Sequence, residues 1–127
     1  MKIAVLIARI LLGLLFLVFG LNGFLNFIPT GPMPIGLAGQ FVTALLQSHY
    51  VLVVCVLEIA GGALLLANRY VPLGLTILGP IIFNILCYHL FLFRMGLGIA
   101  IVVAILWGII ALYHRQAFAG LFVQKSP

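Results

Sequence analysis

One carboxyl group stands apart in this sequence, because Glu58 is the only acidic residue in the chain. It lies in the apolar run of residues 56–66, and no other Asp, Glu, Lys or Arg lies within ten positions on either side. An ionised group at the centre of a membrane helix costs about 2.5–3.5 kcal/mol on insertion scales. An ionisable residue in such a run therefore indicates a functional site or a polar network with a definable partner.

Arg9 and Asn84 are the candidate partners of Glu58, because each lies inside another apolar run. Measured from the helix ends that we expect to be cytoplasmic, Arg9 lies at about 9 Å, Glu58 at roughly 15 Å and Asn84 at roughly 18 Å. If the three faces converge, Arg9 pairs with Glu58, Asn84 bonds to either, and the three line an intramembrane pocket. Two interpretations stay open: an ion pair that only fixes helix packing, or a catalytic site in which Glu58 exchanges a proton with a ligand.

A second polar group is expected nearer the outer ends of the helices, and it contains Asn22, Asn26, His49 and His89. Histidine relays protons or binds metals, and the alternative is a histidine hydrogen-bonded to a backbone carbonyl. We predict no metal site, because no second carboxylate is available to support the histidines.

Cys55 and Cys87 lie in apolar runs and form no C-x-x-C motif. They are expected at similar depth on adjacent antiparallel helices, which leaves a redox pair open. Deep cysteines far from any cation are usually inert thiols, and we favour that interpretation.

The composition of the chain indicates the kind of protein in which these polar residues lie. The chain has 127 residues, of which 66% are hydrophobic and 6% charged, whereas soluble domains carry about 25% charged residues. So few charges exclude a soluble surface and indicate a membrane protein. The net charge of +5 does not indicate nucleic-acid binding, because the basic residues are scattered singly near helix ends.

Four apolar runs of about the length that spans a bilayer cover residues 3–25, 50–67, 72–93 and 97–113. The loop at 27–49 has three prolines in its first half, and Gln40, Thr43 and Gln47 share one helical face in its second half. The sequence predicts an all-α integral membrane protein with one domain, 1–127. Its expected form is an antiparallel four-transmembrane-helix bundle with a short amphipathic helix in the first outer loop.

Orientation follows from the basic residues, because Lys and Arg accumulate on the cytoplasmic side. Arg94 lies alone at one end of the predicted bundle. The opposite end carries five basic residues: Lys2, Arg9, Arg69, Arg115 and Lys125. Both termini are therefore expected in the cytoplasm, and the tail, with Phe118, Leu121 and Phe122 on one face, is expected to rest on the membrane surface.

Several segments taken together resemble the DoxX family of small bacterial four-span membrane proteins. They are the arginine- and glycine-containing stretch 8–16, the Phe-Gly-Leu-Asn-Gly-Phe stretch 19–24, the Glu-Ile-Ala-Gly-Gly stretch 58–62, the Ala-Asn-Arg-Tyr-Val-Pro-Leu stretch 67–73, and the segment 79–91 with its Gly-Pro, Asn84 and His89. The resemblance runs over most of the chain.

The resemblance implies a bundle in the bacterial inner membrane and a subunit of a quinone- or sulfur-linked redox system. It directs attention to five positions: Arg9, Asn22, Glu58, Asn84 and His89. We expect Glu58 and Arg9 to be the catalytic residues and Asn84, Asn22 and His89 to bind the ligand. No tightly bound cofactor is expected, and a quinone is the candidate ligand. The expected partners are membrane lipid and a redox-protein subunit, with a second copy of the chain left open. The alternatives are a non-enzymatic assembly or stabilising partner, as for animal relatives linked to receptor assembly, and a small-solute or proton path.

The basic-residue bias generates a topological prediction. In intact cells, an impermeant thiol reagent is expected to label Gln40→Cys in the first loop and to leave Ser126→Cys in the tail unlabelled. Both variants are made in a background without Cys55 and Cys87. Labelling of Ser126→Cys with protection of Gln40→Cys would reverse the topology.

Overall fold

The computed structural model describes residues 2–29 and 31–127, and within these ranges every regular element is a helix. The elements are α1 Lys2–Leu25, α2 Gly36–Gln47, α3 Tyr50–Ala67, α4 Val71–Phe91, α5 Leu97–Tyr113 and the 3₁₀-helix η1 Arg115–Phe122. The expected all-helical fold is therefore confirmed for these residues, and the four predicted spans match α1, α3, α4 and α5 to within two residues.

Three of these helices, α1, α3 and α4, are long and apolar enough to cross a membrane. The 17 residues of α5 satisfy the same test only together with η1, which is bent 84° away from it. The described chain thus has three candidate membrane spans, or four if α5 and η1 form one bent span.

Residues in the left-handed backbone conformation directly follow α1 and α3 and begin the connections to the next elements. Asn26 and Asn68 have φ of 52° and 55° directly after α1 and α3, and asparagine tolerates this region better than most residues. At the end of α3, the N–H of Asn68 bonds to the carbonyl of Leu65 and the N–H of Arg69 to that of Leu64. This pairing closes the last turn and allows α4 to begin antiparallel to α3.

The closest helix contact is between α1 and α3, and glycine makes it possible. A Cβ atom on Gly62 would lie 2.7 Å from the backbone nitrogen of Leu17 and 2.8 Å from the carbonyl oxygen of Gly13. A Cβ on Gly20 would lie 2.9 Å from the carbonyl oxygen of Cys55. The two backbones therefore touch directly, as small residues permit in membrane helices.

Packing differs between the two ends of the bundle. We call the end with α2 the loop end, and the end with the start of α1 and with η1 the tail end. The largest fully buried side chains all lie in the tail-end half: Leu12, Phe16, Leu65, Leu75, Leu78 and Ile110. At the loop end, residues 21–25, 50–54, 83–91 and 97–99 include no buried residue. The helices thus enclose a dense core in one half and are less closely packed in the other.

The predicted amphipathic helix is present as α2, which packs at the loop end. Its two faces are only partly distinguished by burial. Gln40 and Gln47 are exposed and Val42 and Leu45 are half-buried, but Thr43 is half-buried and Leu46 is exposed. Its Phe41 ring lies 5.6 Å from the ring of Tyr88 on α4. Gly39 abuts the carbonyl of Pro34, so the preceding loop folds back onto the helix.

The glycine contact predicts a difference between two alanine substitutions. Gly62→Ala is expected to cost about 1–3 kcal/mol, because the new methyl group meets backbone atoms that have no room to move. Gly108→Ala on α5 is the control, since nothing lies within 4 Å of its added Cβ, and it should change stability by less than about 1 kcal/mol. Thermal unfolding midpoints in detergent compare the two. Equal midpoints would contradict the close contact.

Candidate functional site

Glu58 lies at the centre of the buried face of α3. The buried residues of this helix are Cys55, Gly61, Gly62 and Leu65. At roughly 100° per residue, all four lie within about 60° of Glu58 around the helix. The carboxyl group is therefore directed between the side of α3 that contacts α1 and the side that contacts α4.

The Glu58 carboxyl has no protein partner among the described residues. No side chain or backbone group there donates a hydrogen bond to it, and no cation lies beside it. The residue is half-buried, and its oxygens retain accessible surface, since no enclosed side-chain oxygen is left without a bond. The one acidic side chain of the sequence thus lies in the bundle with its carboxyl free to bond to another molecule.

Arg9 does not pair with Glu58, which corrects the convergence expected from depth. Its guanidinium donates to the backbone carbonyls of Leu65 and Leu66 at the end of α3. The last carbonyls of a helix lack intrahelical donors and carry the negative end of the helix dipole. Arg9 therefore caps the carboxyl end of α3.

The register of α1 against α3 explains this placement. Gly13 lies against Leu65 and Leu66, and Gly20 lies against Cys55 and Ile59. Glu58 is consequently level with Gly20, while Arg9 lies about eleven residues, or roughly 16 Å, further toward the tail end. That separation exceeds the length of an arginine side chain.

Asn84 also fails to reach Glu58. Its Nδ2 donates to the carbonyl of Pro80 in its own helix at 2.8 Å, and the residue is exposed. On α4 it lies roughly 120° from Leu78, the centre of the buried face. The depth expected for Asn84 along α4 is close to that of Glu58, but the Asn84 side chain lies on the outer surface of the bundle.

Asn22 closes the turn that follows α1. Its Oδ1 accepts the backbone N–H of Ile28 at 2.7 Å, and its Nδ2 lies 3.4 Å from the Ile28 carbonyl. Both polar atoms of the Asn22 amide therefore bond to Ile28. Asn22 holds the first loop in place and has no bond to spare for a ligand in this arrangement. Asn26, expected in the same polar group, is exposed and supplies the left-handed turn residue.

His89 has the backbone-bonded role that was the alternative to a proton relay. Its Nδ1 lies 3.0 Å from the carbonyl of Phe93 and 2.8 Å from that of Met95. Two carbonyl acceptors require Nδ1 to carry the proton, which leaves Nε2 as the acceptor of a neutral ring. The ring secures the turn between α4 and α5, and Tyr88 packs against it edge-on at 5.0 Å. His49 lies elsewhere, exposed ahead of α3.

The two cysteines are both free thiols. Cys55 is buried against Gly23 of α1, whereas Cys87 is half-buried on α4. Cys55 thus packs in the α1–α3 contact.

Two cavities lie away from Glu58, and sequence reasoning missed both. A groove of about 290 Å³ between α4 and α5 is lined by Gly79, Ile82, Phe83, Leu86, Ala104 and Trp107. The indole Nε1 of Trp107 donates to the carbonyl of Leu75 at 2.9 Å, and this single tryptophan in the sequence was the available signal. An open depression of about 520 Å³ runs along α2 and includes Gln40, Thr43 and Gln47. Within the residues that the structure describes, no group of three His, Cys, Asp or Glu side chains is arranged to hold a metal ion.

Comparison with known proteins adds no relative: no family model, curated protein or solved structure matches the chain.

The geometry predicts that Arg9 and Glu58 are energetically independent. Arg9→Met should lower the free energy of unfolding by about 1–3 kcal/mol, because Leu65 and Leu66 lose a charged hydrogen-bond donor and the Leu65 carbonyl keeps only the N–H of Asn68. Its coupling to Glu58→Leu in a double-mutant cycle should stay below about 0.5 kcal/mol, as for distant sites. Unfolding in mixed detergent micelles provides the four free energies. Recovery of stability in the double mutant would restore the ion pair and overturn this assignment.

Proposed function

We propose that this protein is a DoxX-like membrane subunit that binds a lipid-soluble, hydrogen-bonding ligand at Glu58. One observation carries the proposal: the single side-chain carboxyl of the chain lies on the bundle-facing side of α3 without a partner among the residues that the structure describes. Four further polar residues singled out in the sequence are bonded to backbone groups instead.

The energetics of a carboxyl group in an apolar environment support a ligand. A polar group buried without a hydrogen bond costs roughly 2–7 kcal/mol, depending on the reference state, and an isolated charge costs far more. Arg9, Asn22 and His89 avoid this cost by bonding to the backbone. Glu58 does not, so an external group is the remaining way to satisfy it.

Access to Glu58 is expected from the loop end. On the tail-end side of the carboxyl, Phe16, Leu65 and Leu78 are at most 2% exposed and fill the space between the helices. On the loop-end side, Cys55 is buried one turn away against α1, whereas the helix ends beyond it, residues 21–25, 50–54 and 83–91, are half-buried or exposed. This one-sided packing suits a binding site that closes at its base, and it argues against a continuous solute or proton path.

A quinone is the ligand that we propose, because its ring carbonyl oxygens accept hydrogen bonds while the rest of the molecule is apolar. Glu58 in its protonated form would donate one such bond, and the apolar walls on α1 and α4 would hold the ring. When bound, a quinone supplies the carriage of electrons and protons. The chain's own contribution is to bind it, to exclude water on the tail-end side and to hold a proton at the Glu58 carboxyl.

The resemblance to DoxX proteins supplies the rest of the proposal. We place the chain in the bacterial inner membrane with four spans and cytoplasmic termini, as the distribution of basic residues favours. The electron donor would be a redox-protein subunit that associates with the bundle.

An assembly role is the second candidate, and the same free carboxyl favours it. A polar group on a transmembrane helix of a partner could satisfy Glu58 in place of a small molecule, since polar side chains hydrogen-bond across membrane helices. The ligand content of the purified protein separates the two functions.

The test compares wild type with Glu58→Leu, and Asn84→Ala serves as a control, because Asn84 is exposed and bonds to its own helix. Glu58→Leu should not lower the thermal midpoint, since no protein bond is lost. Quinone retained after reconstitution in quinone-containing vesicles should fall about tenfold, the equivalent of one lost hydrogen bond. Asn84→Ala should retain quinone at the wild-type level. Retention is measured by mass spectrometry of extracted quinone.

Two results would overturn the proposal. Equal quinone retention in wild type and Glu58→Leu would remove the quinone site. A large drop in the midpoint of Glu58→Leu, with no quinone in wild type, would make Glu58 a packing residue.

A further inference from the structure

We propose that the tail end of the bundle binds the headgroups of anionic phospholipids. Four exposed cations lie there: Lys2 at the start of α1, Arg69 between α3 and α4, Arg115 in η1, and Lys125 beyond it. The single acidic residue of the chain, Glu58, lies in the middle of α3 and offers them no counterion.

The helix register brings these cations to one end. Arg9, which bonds to the last turn of α3, shows that the start of α1 lies beside that turn. Arg69 follows the same turn directly, and Trp107 bonds to Leu75 near the start of α4. The carboxyl end of α5 and the adjoining Arg115 therefore lie at the level of Arg69.

The 3₁₀-helix η1 gives this end the shape of a membrane-surface element. It leaves α5 at 84°, so it runs across the end of the bundle rather than along it. Phe118 packs against the core, which holds η1 in place. Leu121, Phe122 and Val123 are 74%, 81% and 70% exposed. An element parallel to the bilayer surface with free apolar side chains and nearby cations matches the pattern of interfacial anchors.

The occupant is a lipid rather than an acidic protein, because cations and exposed apolar side chains occur together. Anionic lipid headgroups attract surface cations with about 1 kcal/mol per Lys or Arg, and the adjoining acyl region accepts Leu121 and Phe122. Arg69 and Arg115 also retain donors for phosphate oxygens. Within the described part of the chain, their one side-chain hydrogen bond runs from Arg115 to the Leu112 carbonyl. Bidentate contacts to phosphate are typical of arginine.

The experiment uses the full chain reconstituted in vesicles of equal phosphatidylglycerol and phosphatidylcholine. After re-extraction in mild detergent, the retained lipids are quantified by mass spectrometry. Wild type is expected to retain phosphatidylglycerol in about fivefold excess or more, the equivalent of one cation's contribution. The excess should disappear in Arg69→Gln/Arg115→Gln and shrink at high salt in the wild type.

Arg94→Gln is the matched control, because Arg94 is an exposed arginine at the loop end. It should keep the full phosphatidylglycerol excess. Leu121→Ser/Phe122→Ser tests the apolar part and should reduce retention of both lipids. Equal retention of the two lipids by wild type would overturn the proposal, as would an equal loss of the excess in Arg94→Gln and Arg69→Gln/Arg115→Gln. If the arginine double variant does not fold, the wild-type salt dependence decides: an excess unchanged by salt overturns the proposal.

Discussion

Direct contact between the backbones of α1 and α3 is the constraint on which the rest of the structure depends. Gly13, Gly20 and Gly62 remove the side chains that would hold the two helices apart. Such a contact has little tolerance for sliding, so it fixes which residues of the two helices are level with each other. That register places Arg9 beside the last carbonyls of α3 and brings Glu58 level with Gly20. Two polar groups that look like partners in the sequence are thereby assigned to different places.

Backbone carbonyls then determine what most polar side chains do. In an apolar environment an unpaired backbone group is costly, and helix ends provide the carbonyls that lack donors. Arg9 serves the end of α3, and His89 serves the turn after α4. Trp107 bonds to a carbonyl of α4 from the neighbouring helix. These three side chains therefore stabilise the fold through backbone hydrogen bonds. Glu58 differs from them because its carboxyl makes no such bond within the described residues.

Hydrophobic pattern was sufficient to predict the helices. The four apolar runs and the amphipathic segment appear as α1, α3, α4, α5 and α2 with nearly the predicted bounds, because length and periodicity are local properties. The arrangement of the site depends on two quantities that are not local: the register between helices and the position of each side chain around its helix. Depth counted from helix ends assumed that the ends are aligned, whereas α1 extends past the end of α3, so Arg9 was placed too near Glu58. Asn84 was judged by depth without its position around the helix, and it lies on the outer surface. A histidine bonded to a backbone carbonyl is an interpretation that the sequence allows for His89, but the identity of the carbonyls, Phe93 and Met95, depends on the fold of the turn after α4.

The position of Trp107 makes the junction of α4 and α5 optically visible. As the only indole in the chain, it gives the protein a tryptophan emission that arises from one place, beside Gly79 and bonded to Leu75. Separation of α5 from α4 would break the indole hydrogen bond and change the polarity around the ring. The emission wavelength is therefore a built-in reporter of whether the last helix remains docked, without any added label.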